Sequence, residues 1–196
     1  MLKQKNHVVV RAPNWMGDIV MSFPFFFELR KRFPDRRIIA ITPRSYVDLI
    51  ASWSLDVDIL PFDKVDKGLI GAMRFVKKHP LIKNASMYFA LPSSFSSAWL
   101  GLLIKATNRI GYPGDFRRWL LTLAPKMCRC HRSENYVELL SKYLNSKIIS
   151  SPYLDFQNKR ENYTLINVNS EAASRRLPTI KWIEFFIKYK KKSLYS

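Results

Sequence analysis

Eight residues near the start of the chain, Arg11-Ala-Pro-Asn-Trp-Met-Gly-Asp18, place a glycine and a carboxylate between an apolar run, His7 to Val10, and a long helical pattern. A strand that passes through a glycine-containing loop into a helix sets backbone N–H donors at the carboxyl edge of a sheet, where α/β proteins bind ligands. Gly17 lets the main chain come close to a ligand. Asp18 has two readings: it caps free N–H groups at the mouth of the helix, or it acts as a base. Asn14 and Trp15 either border a ligand or pack the loop. A second loop, Leu91-Pro-Ser-Ser-Phe-Ser-Ser97, offers Ser93, Ser94 and Ser96 either as hydrogen-bond partners for a ligand or as helix caps.

The elements that must hold these loops alternate along the chain. Val8 to Arg11, Arg37 to Thr42, Val57 to Leu60, Met87 to Leu91 and Arg109 to Tyr112 read as strands. Helical patterns cover Ile19 to Phe33, Tyr46 to Ser52, Leu69 to Lys78, Ser96 to Lys105, Arg117 to Leu123 and Ser133 to Leu144. The first of these places Val20, Phe23, Phe27 and Phe33 near one face, tolerates Pro24 early and stops before Pro34. Such alternation predicts a mostly parallel sheet covered on both faces, an α/β fold. The longest uncharged span, Asn84 to Ile104, contains a proline and several serines and reads as strand, loop and buried helix rather than a membrane span. After Leu144 a polar, proline-broken stretch leads to a new strand pattern, Tyr163 to Val168, and a helix from Thr179 to Tyr189. The expected organisation is one domain over 1–145, a linker over 146–162 and an incomplete second domain over 163–196.

The 196 residues are 47% hydrophobic and 14% aromatic, enough for one substantial core. Thirty-three Lys and Arg against 15 Asp and Glu give a net charge of +18, which favours anionic partners. Arg30 to Arg32 with Arg36 and Arg37, Arg117 with Arg118, and Lys188 with Lys190 to Lys192 are scattered clusters. Without a nucleic-acid module signature they argue against a specific DNA or RNA reader, leaving a solvated basic face or one turned to an anionic membrane surface. Cys128 and Cys130, one residue apart, are poorly placed for a mutual disulfide and make half a metal site at most, which fits a reduced, cytosolic setting. No signal-peptide pattern is visible at the N-terminus. His7 and His79 are expected to be structural or exposed, and His131 to order the start of the helix at Ser133.

Four segments in the same order resemble the lipopolysaccharide heptosyltransferase family, glycosyltransferase family 9: Arg11 to Asp18, Leu91 to Ser97, Arg109-Ile-Gly-Tyr-Pro-Gly114, and His131 with Glu134-Asn-Tyr136. A fifth, Ser174-Arg-Arg-Leu-Pro178, resembles the family's basic loop at the start of the second domain, although Asn169-Ser-Glu-Ala replaces the usual glycine-rich approach. The resemblance covers the N-terminal half and reaches the second domain only at its entrance. It implies a GT-B architecture of two Rossmann-like domains facing a cleft, here a Rossmann-like first domain with a truncated start of the second. It implies inverting transfer of heptose from ADP-heptose to the lipid-linked inner core of lipopolysaccharide, with neither metal nor other cofactor, at the cytoplasmic face of the inner membrane. Asp18 matches the family's catalytic aspartate. Asn14, Trp15, Gly17, Ser93 and Ser94 fall on the acceptor side. Ser174, Arg175 and Arg176 fall at the donor diphosphate, with Arg175 where the family commonly has lysine. Arg109 with Gly111 either lines the cleft or is a solvated strand-end charge. On this reading the chain alone has little or no activity unless a separate C-terminal half completes it; the alternative is a catalytically silent remnant that only binds.

Overall fold

The computed structural model describes residues 7–114, 116–149 and 176–193. They fall in two compact units divided between Tyr153 and Leu154. The expected strand at Tyr163 to Val168, with most of the expected linker, lies outside the described residues.

The first unit is built on a sheet of five parallel strands, β1 (His7–Arg11), β2 (Arg37–Pro43), β3 (Asp58–Phe62), β4 (Met87–Ala90) and β5 (Asn108–Gly111), in the spatial order β3-β2-β1-β4-β5. All five expected strands are present, with ends shifted by one or two residues. The central ones are continuous apolar runs because both faces are covered: Val8, Val9 and Val10 are fully buried and pair in register with Ile38, Ile39 and Ala40 on one side and Met87, Tyr88 and Phe89 on the other. Pro61 is tolerated because β3 is an edge strand.

Among the described residues of the first unit the helices are α1 (Met16–Met21), α2 (Phe23–Arg32), α3 (Val47–Ala51), α4 (Gly68–Lys78), α5 (Phe95–Leu103) and α6 (Arg132–Leu144), and the second unit contains α7 (Thr179–Ser193). On one face Val9, Ile39, Ile41, Tyr88 and Ala90 form a core with Ala72, Phe75 and Val76 of α4 and Leu100 of α5. Alternation turns Phe89 to the other face, where its ring meets Phe25 of α2 at 5.2 Å and Tyr143 of α6 at 5.9 Å. Close approach is needed at Gly101: a Cβ there would lie 2.5 Å from Cδ1 of the buried Tyr88 ring, so α5 rests on that ring through bare backbone.

Three helix expectations change. The pattern from Ile19 to Phe33 is two helices, broken at Ser22, with Pro24 in the first turn of α2. The break resets the helical phase, so Ile19, Phe23, Phe25, Phe26 and Leu29 are buried, whereas Val20 and Phe27 are exposed and Phe33 lies beyond the helix end. Arg117 to Leu123 is not a helix: only a short 3-10 turn forms at Arg118–Leu120. Thr122 and Leu123 then return to the sheet edge, their N–H groups donating to the Arg109 carbonyl while Leu123 accepts from Gly111. The third change concerns Asp18. Helix α1 starts at Met16 with Trp15 in the capping position, so Asp18 lies inside the first turn, and no side chain caps this end.

Candidate functional site

β1 and β4 are neighbours whose chains continue to opposite sides of the sheet, so the loops after their carboxyl ends flank a topological switch point, the usual ligand crevice of an open α/β sheet. Arg11, at the end of β1, is buried. Its guanidinium lies 4.6 Å above the Phe62 ring and donates to the carbonyls of Ala12 and Ile41 and, at 2.7 Å, to Oδ1 of Asn14. Burial pulls its pKa down to about 10, with the Tyr88 phenol pulling the other way. Asn14 is thus aimed by the strand end. A cavity of about 160 Å³ opens beside it, lined by Arg11, Asn14, Lys67, Pro92, Ser94 and Ser96 among others. It brings together two of the expected acceptor-side residues, Asn14 and Ser94. Trp15, Gly17 and Ser93 do not line it. Trp15 is 62% exposed, and a Cβ at Gly17 would meet open space, so packing does not demand glycine there.

Asp18 faces α6. Its Oδ1 lies 3.8 Å from Nε of Arg132, and its side chain keeps 29% of its accessible surface. Tyr136, one turn further along α6, has its phenol pKa raised by burial first and then by the charge of Asp18. His131 is the N-cap of α6: its Nδ1 accepts from the Ser133 N–H and lies 2.7 Å from Ser133 Oγ, the ordering role expected of it.

The second loop is organised by a residue whose importance the sequence concealed. Arg117 is fully buried; it donates through Nε and Nη2 to the Tyr112 carbonyl, at 2.9 and 2.7 Å, and through Nη1 to the carbonyls of Pro92 and Ser94 and to Ser97 Oγ. One guanidinium therefore joins the loop after β4 to the loop after β5. Gly111 belongs to the same arrangement, since a Cβ there would stand 3.1 Å from the Ala90 carbonyl and 3.2 Å from Arg117 Nη2. Tyr112 donates to the Asn135 carbonyl at 2.6 Å. Arg109 is half-buried and tied down, donating to the carbonyls of Leu120 and Ala106 at 2.7 and 2.8 Å. Ser94 occupies the N-cap of α5 without a side-chain bond to it, while Ser97 bonds back to the Pro92 and Ser94 carbonyls.

Part of the basic charge is structural. Arg30 donates to the carbonyls of Phe33, Pro34 and Arg36, Arg32 pairs with Glu28, and Arg37 pairs with Asp58. Ser174 and Arg175 lie outside the described residues, and Arg176 is exposed in the second unit. His7 contacts the Ile82 carbonyl at 3.3 Å, and the His79 ring lies tilted against Phe75 at 4.6 Å between ring centres. Cys128 and Cys130 gain a third potential ligand invisible in the sequence, Glu138 of α6. No helix among the described residues is long and apolar enough to cross a membrane.

A five-stranded parallel sheet in this order, wrapped by helices, is a Rossmann-like α/β fold, and it superimposes on one part of solved structures that have the GT-B fold. A glycosyl transferase family 9 structure from Veillonella parvula superimposes with a TM-score of 0.60 at 19% identity, over 70% of this chain and 40% of that one. Escherichia coli ADP-heptose lps heptosyltransferase II gives 0.57 at 23% identity, over 68% of this chain and 39% of that one. In sequence, the chain is similar to lipopolysaccharide heptosyltransferase 2 of Escherichia coli, 27% identical over 115 residues, and to lipooligosaccharide heptosyltransferase 2 of Haemophilus ducreyi, 25% identical over 123 residues. Each alignment covers 58% of this chain and 33% of the relative, so the match spans about a third of the length of these proteins. No family model matches the chain.

Proposed function

We propose that this chain forms the acceptor-side lobe of an inverting glycosyltransferase that moves heptose from ADP-heptose to the inner core of lipopolysaccharide. The observation that carries the reading is the half-exposed carboxylate of Asp18 beside the carboxyl end of β1, held by Arg132 in a segment that resembles the family's first loop. In the transfer, Asp18 accepts the proton of an acceptor hydroxyl as its oxygen attacks the anomeric carbon. The bond from that carbon to the diphosphate breaks, and its electron pair leaves with ADP. Asn14 and Ser94, beside Lys67 in the small cavity, suit an acceptor carrying hydroxyl and phosphate groups. Trp15, Gly17 and Ser93 are assigned to the acceptor side on the family resemblance alone. Ser174, Arg175 and Arg176 are assigned to the leaving diphosphate on the family resemblance, where cations and N–H donors stabilise the departing charge without a metal. The net charge of +18 suits a peripheral position on an anionic membrane surface at the cytoplasmic face.

The test is ADP release from ADP-heptose with a lipid-linked core acceptor, using the chain alone and joined to the C-terminal domain of a heptosyltransferase 2 relative. Asp18→Asn in the joined protein is expected to lower the rate about 100-fold or more, the usual worth of a general base, with acceptor affinity nearly unchanged. An unchanged rate would remove Asp18 from the mechanism. A joined protein that binds acceptor yet releases no ADP would favour a binding module instead.

A further inference from the structure

The loop that leads into α6 and the helix itself place three metal-ligating groups together. Cys128 Sγ, Cys130 Sγ and a carboxylate oxygen of Glu138 all lie within 4.8 Å of one another. The cysteines are separated by one residue, whereas Glu138 comes from two turns inside α6, so the triangle exists only in the folded chain. All three line a cavity of about 620 Å³ together with Ser133 and Glu134. Glu134 and Glu138 are four residues apart on α6 and therefore share a helix face. Two carboxylates and two thiols line this cavity together with the ammonium groups of Lys142 and Lys147. Lys142 is the competing cation, with Nζ 3.6 Å from Glu138 Oε1 on the exposed side of that pair.

We propose that Cys128, Cys130 and Glu138 bind one thiophilic divalent cation of the zinc class, with Glu134 or water in the fourth position. Two thiolates and a carboxylate select such an ion over magnesium or calcium, and tetrahedral closure at about 2.3 Å to sulfur and about 2.0–2.2 Å to oxygen draws the three atoms slightly closer than they now stand. Binding releases two thiol protons to solvent, forms two metal–sulfur bonds and one metal–oxygen bond, and frees Lys142 from Glu138. The role is structural. The ion staples the loop before α6 to the helix whose first residue, Arg132, holds Asp18, and it takes no part in the transfer.

Cobalt(II) titration of the full chain, reduced and then freed of chelator, tests this directly. One equivalent is expected to produce thiolate-to-cobalt charge-transfer absorption with the visible bands of a tetrahedral site, and zinc should displace it while magnesium does not. Cys130→Ser should abolish most of the charge-transfer intensity. Glu138→Gln, a half-exposed change that leaves both thiols in place, should keep that absorption but weaken binding about tenfold or more. A reduced chain without the absorption would overturn the proposal. So would a Glu138→Gln protein that binds as tightly as the parent, or equal affinity in urea, because either result would mean that the Cys-x-Cys pair chelates without the fold.

Discussion

Replacing Arg117 with methionine tests whether one buried guanidinium holds the two ligand-side loops together. The change removes five hydrogen bonds to four acceptors. The Ser94 carbonyl keeps the Ser97 N–H at 3.2 Å, which leaves the single Ser97 hydroxyl proton for the Pro92 carbonyl at 3.0 Å, so their loss is partial. The Tyr112 carbonyl loses both guanidinium donors, and a buried acceptor left without a donor costs about 1–3 kcal/mol. Bonds to a charged group contribute about 1.5–3 kcal/mol each, and relief from burying a cation returns several kcal/mol. The net expected loss is about 3 kcal/mol, at the upper end of the usual range for a single substitution that disrupts a buried hydrogen-bond network. With a urea dependence of about 2 kcal/mol/M for a domain of this size, the midpoint of the tryptophan-fluorescence transition should fall by about 1.5 M. Arg117→Lys should lie between the two, since an ammonium reaches fewer of these acceptors. A midpoint for Arg117→Met within about 0.3 M of the parent, an energy below 1 kcal/mol on the same slope, would refute the assignment.

Gly101→Ala should cost about 1–3 kcal/mol, because the new methyl group would stand 2.5 Å from a Tyr88 ring already anchored to the Ser97 carbonyl, and thermal melting should shift down by several degrees. His131→Ala removes the side-chain cap of α6 at an exposed site and should cost about 0.5–1 kcal/mol by urea unfolding. His79 has its pKa lowered, first by burial and then by Lys78, so the folded chain prefers the neutral ring. Its contribution is complete above the unfolded value of about 6.5 and declines as pH falls below it. The acid limb of a stability–pH profile should therefore be shallower for His79→Gln than for the parent.

The strands were legible because a parallel sheet covered on both faces needs uninterrupted apolar runs, and Val8 to Val10 or Ile38 to Ile41 have no other use. The helix phase after β1 was not, because a break at Ser22 leaves the spacing of Phe23, Phe25, Phe26 and Phe27 compatible with more than one buried face. Arg117 read as a surface charge beside Arg118. Only the fold brings the carbonyls of Pro92, Ser94 and Tyr112 around it, and only then does the glycine at 111 find its reason. Asp18 was visible as a carboxylate after the first strand, but its partner Arg132 is more than a hundred residues away, and no local spacing signals such a pair. Glu138 beside the two cysteines is hidden for the same reason.

Helix α1 is only six residues long, lacks a side-chain cap at its start and is set apart from α2 by the break at Ser22. So short a helix has little stiffness of its own and borrows it from what it leans on. For α1 that support is Ile19, buried beneath it, and the reach of Arg132 from α6. The ion pair of the Asp18 carboxylate thus comes from the far end of the lobe's sequence, a long contact of 3.8 Å between partly exposed groups, and it ties the short helix to α6 only weakly.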